Sequence, residues 1–397
     1  MVHIRYAQDY YDSLPFFKWL RIFLPEEKYI KLLQKLPPFL IDRFNSKQGI
    51  KGMMITTPLM PDMLMSSRKG TEIEILRIKR LLDRMCVPLH NKIVIGLGAW
   101  WPMVSKKGEL FLELLASDKY RVTTGHSATS YSIIRTAEYL IKEAEIKHKK
   151  CRVIIFGCGN IGKNVALALA QKNINLILVD IHARKLEHFK STLHKKYKKI
   201  EIDTELFEKS KIKELLDRSD FGICATSNLR AIIDKEDIPE NFVFIDDSRP
   251  EAIPRFGNHE KKYTLEGGLL HIKGFVSRYN VGFGNDNNIL GCLAEAFILA
   301  WDGRNGSTLK ETIGKVTNER LQDLDKFCKT HDIRYGDFKM GKINLAEKLV
   351  INAVSSKHYK ENLRTKKIIK SKEFKNFSLP IVYTFKKSST ELTPNSI

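Results

Sequence analysis

Apolar positions recur at helical spacing near the start of the chain, at Tyr29, Leu32, Leu33 and Leu36, between breaks at Pro15, Pro25 and the pair Pro37-Pro38. This predicts short, aromatic-rich helices over residues 1–45. KGMMITTPLM (51–60) reads as a strand running into a turn. Ile73, Ile75, Leu76, Ile78, Leu81 and Leu82 predict a basic amphipathic helix over 71–86. KIVIGLG (92–98) is a short apolar run ending in glycines, as a buried strand ends at a site. A helix near 107–117 follows, and then TTGHSATS (123–130) opens a helix reaching residue 147. Strand, helix, strand, helix predicts an α/β domain over 1–147.

After HKK (148–150) the rhythm becomes βαβ. Apolar runs RVIIF (152–156), NLILVD (175–180), FGICAT (221–226), FVFIDD (242–247) and LLHIKG (269–274) alternate with helical patterns. Such alternation predicts a parallel, doubly wound sheet of Rossmann type over 148–288. An apolar helix begins near Ile289 and continues with breaks to His331. Residues 332–397 read as a basic tail. The fold class is therefore α/β: an N-terminal α/β substrate domain, a Rossmann-type sheet, and C-terminal helices packing back on the cleft.

Composition narrows the classes. The 397 residues are 43% hydrophobic, enough to bury a core. No apolar run approaches the roughly 20 residues of a membrane-spanning helix, and the start lacks a signal-peptide pattern. Cys86, Cys151, Cys158, Cys224, Cys292 and Cys328 make neither a paired framework nor a CxxC knuckle, so a reducing cytoplasm and no metal site are expected. Lys and Arg number 67 against 46 acids, a formal charge of +21 that suits anionic partners. The basic stretches at 184–199 and after 340 lack regularly spaced aromatics, so no nucleic acid is expected.

The strongest local chemistry is VIIFGCGNIGKNVALALA. Gly157, Gly159 and Gly162 form GxGxxG between an apolar strand and a helix, with Asn160 and Ile161 inside the turn. The first glycine allows the turn, the second lets backbone approach a pyrophosphate, and the third permits close helix packing; the helix N-terminus stabilises negative charge. The second strand ends at Asp180, placed to accept from the adenine-ribose hydroxyls. That carboxylate repels a 2′-phosphate and favours NADH over NADPH by about two to one on this reasoning, although His182, Arg184 and Lys185 offset it. Thr226 and Ser227, at the end of the third strand, are candidates for contact with the nicotinamide ribose. Asp246, ending the fourth, is a candidate for lining the nicotinamide pocket.

Several motifs in one order resemble a known family: LPPFLIDRF (36–44), TPLMPDMLM (57–65), IGLGAWWPMV (95–104), VTTGHSATS (122–130), the glycine turn, FVFIDDSRP (242–250), EGGLLHIKG (266–274) and ILGCLAEAFILAWDG (289–303). They are similar to the aldehyde-forming long-chain fatty acyl-(acyl-carrier-protein) reductases and their relatives labelled amino-acid or shikimate-type dehydrogenases. The resemblance spans residues 2–330. It implies an acyl-enzyme on Cys292, reduced by NAD(P)H to release an aldehyde, with acyl carrier protein or acyl-CoA as donor. Peripheral membrane contact would suit an oily product. The residues agree on their own terms, since Cys292 follows GNDNN (284–288) and Gly291 in the first turn of a helix, where the dipole is expected to lower a thiol pKa. A small buried hydrophobe is the alternative, and Cys158 is the competing thiol.

His126 and the hydroxyls of TTGHSATS, Thr124 among them, would hold a thioester carbonyl or donate a proton, unless they merely cap the helix. Gly96 and Gly98 let backbone approach a ligand or form a sharp turn. Trp100, Trp101, Met103 and the Met-rich stretch 60–65 line an acyl channel or belong to the core. The sequence departs from the aldehyde-forming pattern at His126, where the family often has Asn, at Asp180, where aldehyde-forming members tend to carry a residue that tolerates NADPH, and at Asp247-Ser248-Arg249, the last of which points toward a smaller or more polar substrate. Two other functions therefore stand beside thioester reduction. One is a dehydrogenase of a small amino or hydroxy acid, with Arg249 or His126 orienting its carboxylate and Cys292 only packing. The other is a non-catalytic nucleotide-binding sensor.

Overall fold

The computed structural model describes residues 2–3, 15–59, 61–85, 92–228, 230–254, 256, 260–277, 287–304, 306 and 309–360. Helices α1 (Pro15–Phe23) and α2 (Glu26–Lys35) are short because Pro25 sits at the cap of the second, where its fixed φ of −53° suits the junction, and Pro37-Pro38 follow its end. Strands β1 (Phe39–Asn45) and β2 (Lys51–Thr57) pair antiparallel. Helix α3 (Arg68–Met85) buries Ile75, Ile78 and Leu82 against Ile55, Trp101 and Phe111. Strands β3 (Ile93–Gly96) and β4 (Tyr120–Thr123) pair in parallel, and β4 runs through Thr124-Gly125 into α4 (His126–Glu143).

The second unit is a six-stranded, wholly parallel sheet. Its strands are β5 (Arg152–Phe156), β6 (Asn175–Asp180), β7 (Ile202–Leu206), β8 (Phe221–Cys224), β9 (Val243–Asp246) and β10 (Tyr263–Glu266). Their order is β10-β9-β8-β5-β6-β7, which reverses direction at β5. Ligands of such sheets sit outside the carboxyl ends of the strands at that reversal. Helices α5 (Asn160–Gln171) and α6 (Ala183–Lys196) cover one face through Val165, Leu169, Phe189 and Leu193, and α4 joins them through Leu140 and Ile141. The other face buries Ile154, Ile177, Leu216 and Phe244.

Three details differ from the expected layout. The two edge strands, β7 and β10, are not marked by periodicity, because β7 buries only Ile202 while Asp203, Thr204 and Glu205 are half-exposed, and β10 buries only Thr264 and Leu265. LLHIKG does not extend the parallel sheet. After β10 the chain turns at Gly267-Gly268, and β11 (Leu269–His271) pairs antiparallel with β12 (Asn288–Leu290) and with Arg334–Tyr335. The segment read as a basic tail is folded as far as residue 360. Phe338 and a helix over 347–360 place Val350, Ala353 and Val354 in the Rossmann core. Lys357, 5% exposed, donates to the Asp217 carbonyl at 3.1 Å, so part of the basic excess is structural. Residues 361–397 lie outside the described residues.

Helix α7 (Gly291–Arg304) crosses back between the units and is buried on most sides, with α8 (Asn318–Thr330) behind it. No helix among the described residues is long and apolar enough to cross a membrane.

Candidate active site

At the sheet reversal the turn from β5 to α5 is shaped by its glycines. Gly157 has φ +89°, and a Cβ there would lie 2.6 Å from the Ala225 carbonyl. A Cβ on Gly162 would stand 1.9 Å from the Gly157 carbonyl, so the third glycine is required by packing. Gly159 differs, since a Cβ there would meet nothing within 4 Å. Its bare backbone at the start of α5 faces open space, as the surface beneath a dinucleotide pyrophosphate must. Asp180 closes the site at the end of β6, accepting from the backbone N–H of Cys158 at 2.8 Å and of His182 at 3.0 Å. Arg184 lies in the exposed first turn of α6, beside this carboxylate in sequence. The residues present therefore fit a dinucleotide.

Gly159→Val is expected to weaken NADH or NADPH binding by at least about 30-fold, since the added side chain occupies the pyrophosphate space. Unfolding should stay unchanged, because nothing in the protein is struck. Gly162→Ala should do the reverse and destabilise the fold by roughly 1–3 kcal/mol. Calorimetric titration and thermal melts of both variants check this, and undiminished affinity in Gly159→Val would move the cofactor elsewhere.

Facing this turn is the start of α7. A Cβ on Gly125 would fall 2.2 Å from Cys292 Cα, one on Gly291 2.6 Å from Thr129 N, and one on Gly96 2.8 Å from Ala296 Cβ. Gly96 therefore admits a helix of this same chain, not a ligand. This close approach leaves Cys292 partly exposed, and its sulfur accepts from the Ala99 N–H. Cys151, Cys158, Cys224 and Cys328 are buried, and Cys86 lies outside the described residues. Burial pushes the Cys158 thiol up to about 12, with Asp180 adding to the shift. The expected low pKa at Cys292 is not found. Burial pushes its thiol up to about 11, Asp247 adds to the rise, and the Ala99 N–H and Arg249 only partly oppose it. Desolvation outweighs the helix dipole here.

The end of β9 corrects a second expectation. Asp246 does not line the pocket: it is 1% exposed and accepts from the N–H groups of Ser248, Ala252 and Ile253 at 2.9, 2.8 and 3.2 Å. It organises the turn, with burial raising its pKa to about 6. Asp247, the next residue, is only half-buried. Its Oδ1 would lie 2.6 Å from a Cβ on Gly268, whose carbonyl accepts from Gly291 N at 2.6 Å, next to Cys292. Desolvation raises the Asp247 carboxyl to about 8 against the pull of Arg249, and Asp246 and Glu266 add to the rise. Arg249 does not offer its fork to a ligand. Its Nη atoms donate to the carbonyls of Asp246 and Ser248 and to the Glu266 carboxylate. Thr226 is drawn to Ser248 Oγ through both its N–H and hydroxyl at 3.1 Å, while Ser227 is exposed.

Most hydroxyls of TTGHSATS are consumed in holding α4. Thr124 donates to the Thr312 carbonyl at 3.0 Å, Ser127 pairs with the Thr312 hydroxyl at 2.6 Å, and Thr123 donates to Glu295 at 2.6 Å. Thr124 is fully buried and so does not present its hydroxyl to a substrate. Capping is not their role either, as the N-cap is Gly125 in a left-handed conformation. His126 is the side chain of this motif that faces the nucleotide turn. Asn160 Nδ2 stands 3.0 Å from His126 Nδ1 and 2.9 Å from the Gly314 carbonyl. A carbonyl can only accept, so that amide atom is a nitrogen, Nδ1 is an acceptor, and the proton of the neutral ring sits on Nε2. Burial drives the His126 pKa down to about 4, so the ring is neutral across the physiological range.

Glu295 is the functional-site neighbour that sequence reasoning missed. Wholly buried one turn after Cys292, it accepts from Thr123, from Ala128 N at 3.0 Å and from Arg320 at 3.3 Å. Its signal was available as an acid inside the apolar run GCLAEAF. The expected acyl channel is not formed by the tryptophans. Trp101 is fully buried edge-on to Phe111, and Trp100 is 3% exposed and donates from Nε1 to the Arg249 carbonyl at 2.6 Å. Met103 is exposed, and Met60 with residues 284–286 of GNDNN lies outside the described residues. Among the described residues no His, Cys, Asp and Glu cluster is placed to hold a metal.

Comparison with known proteins agrees with this arrangement at the level of the domain. Residues 139–264 match the family model described as shikimate / quinate 5-dehydrogenase. A glutamyl-tRNA reductase from Methanococcus maripaludis is 34% identical over 120 residues, 29% of this chain and 29% of its own. The chain thus spans under a third of the curated relatives it matches. Among solved structures, quinate dehydrogenase from Corynebacterium glutamicum in complex with NAD is 14% identical, with 32% of this chain and 43% of that chain covered and a TM-score of 0.24. L-tryptophan dehydrogenase from Nostoc punctiforme is 9% identical over 91% of this chain and 86% of its own, with a TM-score of 0.38. The likeness to the shikimate / quinate 5-dehydrogenase family thus covers the glycine turn and the first five strands of the parallel sheet.

Proposed function

We propose that this chain is an NAD(P)-dependent oxidoreductase that interconverts a carbonyl and its reduced form on a small polar substrate. The observation that carries this reading is the place of Asp247, a half-buried carboxyl group at the carboxyl end of β9 whose charge acts on Cys292 and whose pKa desolvation pushes up to about 8. Bound over Gly159, the nicotinamide cofactor would supply or take up the hydride. Asp247 would donate the matching proton to the carbonyl oxygen during reduction and accept it back during oxidation. The Nε2–H of His126 would give a second, fixed donor to the substrate. Shikimate and quinate, named for the matching family, are small hydroxy acids, which supports a polar substrate, as does the burial of Trp100 and Trp101 in the core.

The test follows nicotinamide absorbance with NAD⁺ and NADP⁺ against shikimate, quinate and a set of L-amino acids. Turnover of one class is expected. Tight nucleotide binding without turnover of any of them would sink this reading. Asp180 supports NADH, and the same assay measures the preference.

A second reading, reduction of an acyl thioester, has one observation in its favour. Cys292 is the partly exposed thiol among the described cysteines and lies at a helix start with a backbone donor on its sulfur. Acyl carrier protein or acyl-CoA would then be the donor. Cys292→Ser separates the two. Under the first reading turnover changes by less than about threefold. A loss beyond about a hundredfold, with an acyl-sized mass gain on the wild type after acyl-CoA, would establish the covalent route.

A further inference from the structure

We propose that helix α1 docks on an anionic lipid surface, a property independent of which substrate the cleft takes. Trp19, Ile22 and Phe23 are 56%, 72% and 64% exposed on this nine-residue helix, and Phe16 is 62% exposed. Phe16, Trp19 and Phe23 share one stripe at helical spacing. Their rings touch in series, Phe16 to Trp19 at 6.3 Å and Trp19 to Phe23 at 4.7 Å. The helix is seated by a different side, where Leu20 and the following Leu24 pack on Tyr29 and Leu33 of α2. Trp19 and Phe23 of this stripe, together with Ile22, are thus what α1 presents outward.

Charge chooses the occupant. Across residues 15–35 Lys18, Arg21, Lys28, Lys31 and Lys35 stand against Glu26 and Glu27, within a chain of formal charge +21. A second copy of this chain would bring like charge to the contact, whereas an anionic bilayer attracts it from a distance and then buries the rings. Aromatic and aliphatic side chains flanked by Lys and Arg are the composition that rests at the headgroup boundary. A nine-residue helix lies on such a surface and does not span it.

The experiment is co-sedimentation of the full chain with vesicles of equimolar phosphatidylcholine and phosphatidylglycerol, and with phosphatidylcholine alone. Binding to the anionic vesicles is expected, weaker on the neutral ones, with at least about a tenfold loss of affinity in the double variant Trp19→Glu, Phe23→Glu. These side chains are exposed, so the variant should keep its thermal melt and its NADH affinity, and both are measured alongside. Trp100 and Trp101 are buried and Trp301 is packed edge-on between Phe297 and Phe327, so a vesicle-induced blue shift of fluorescence that vanishes in Trp19→Phe reports α1 itself. The proposal is overturned if the wild type binds neither vesicle, or if the double variant binds as the wild type does. It is overturned too if light scattering shows a dimer that the double variant dissolves while vesicle binding is absent.

Discussion

Asp247→Asn is expected to slow carbonyl reduction by roughly 10²–10⁴-fold while nucleotide affinity stays within about twofold. The substitution keeps the shape and removes the transferable proton. Desolvation holds the Asp247 carboxyl at about 8, so in the wild type it is protonated through neutrality and the reduction rate should fall as pH rises through about 8. In the oxidising direction the ionised carboxylate is the base, and the rate should rise over the same interval. Asp247→Asn should abolish both inflections. A stability signature accompanies this. A carboxyl whose folded pKa is raised binds its proton more tightly in the native state than in the unfolded one, so its contribution is fullest below the ordinary carboxylate range and is lost as pH rises through about 8. The asparagine variant should therefore lose less stability than the wild type between about pH 4 and 8. Rate profiles and denaturant melts across this range provide the check, and an unaltered profile in the variant would remove Asp247 from the chemistry.

Glu295→Ala should destabilise the protein by about 3–5 kcal/mol, the cost of leaving a buried charge without its partner. Arg320 is 7% exposed and would lose the Glu295 carboxylate, and Thr123 and Ala128 N would each lose an acceptor. Those contacts join α7 to both the start of α4 and α8, so the damage should spread to the position of Cys292. Glu295→Gln keeps an acceptor and the volume, and should cost less. Urea denaturation of both variants measures the difference. A Glu295→Ala protein as stable as the wild type would mean that these bonds contribute little to the fold.

The glycine turn was legible in the sequence because its logic is local. The strand, three glycines, helix and Asp180 are neighbours along the chain, and their spacing alone brings them to one sheet edge. The interior strands were legible for the same reason, since burial on both faces leaves continuous apolar runs. Edge strands β7 and β10 were not, because half or more of their side chains meet water and their patterns resemble loops. LLHIKG was apolar enough for the sheet but separated from it by Gly267-Gly268, a break whose consequence depends on where β12 lies. Cys292 was identifiable as a residue of interest, yet its thiol state was misjudged. A helix start favours the thiolate, but desolvation by the segments packed around it and the neighbouring Asp247 decide the opposite sign, and both come from chain segments far away.

Among adjacent residues the same division holds. Asp246 and Asp247 are indistinguishable by composition. The turn that follows β9 aims three N–H groups at the first and leaves the second half-exposed. Glu295 bonds Thr123 across 172 residues, which no spacing rule reaches. By itself, then, the amino-acid sequence determined an α/β chain with a dinucleotide turn at known residues, because periodicity and short-range backbone geometry are local properties. Tertiary structure alone decided which acid is held above the usual carboxylate range, which hydroxyls are consumed, and which cysteine stays partly exposed. Desolvation and charge act through space, and they depend on partners that the chain brings together only when folded.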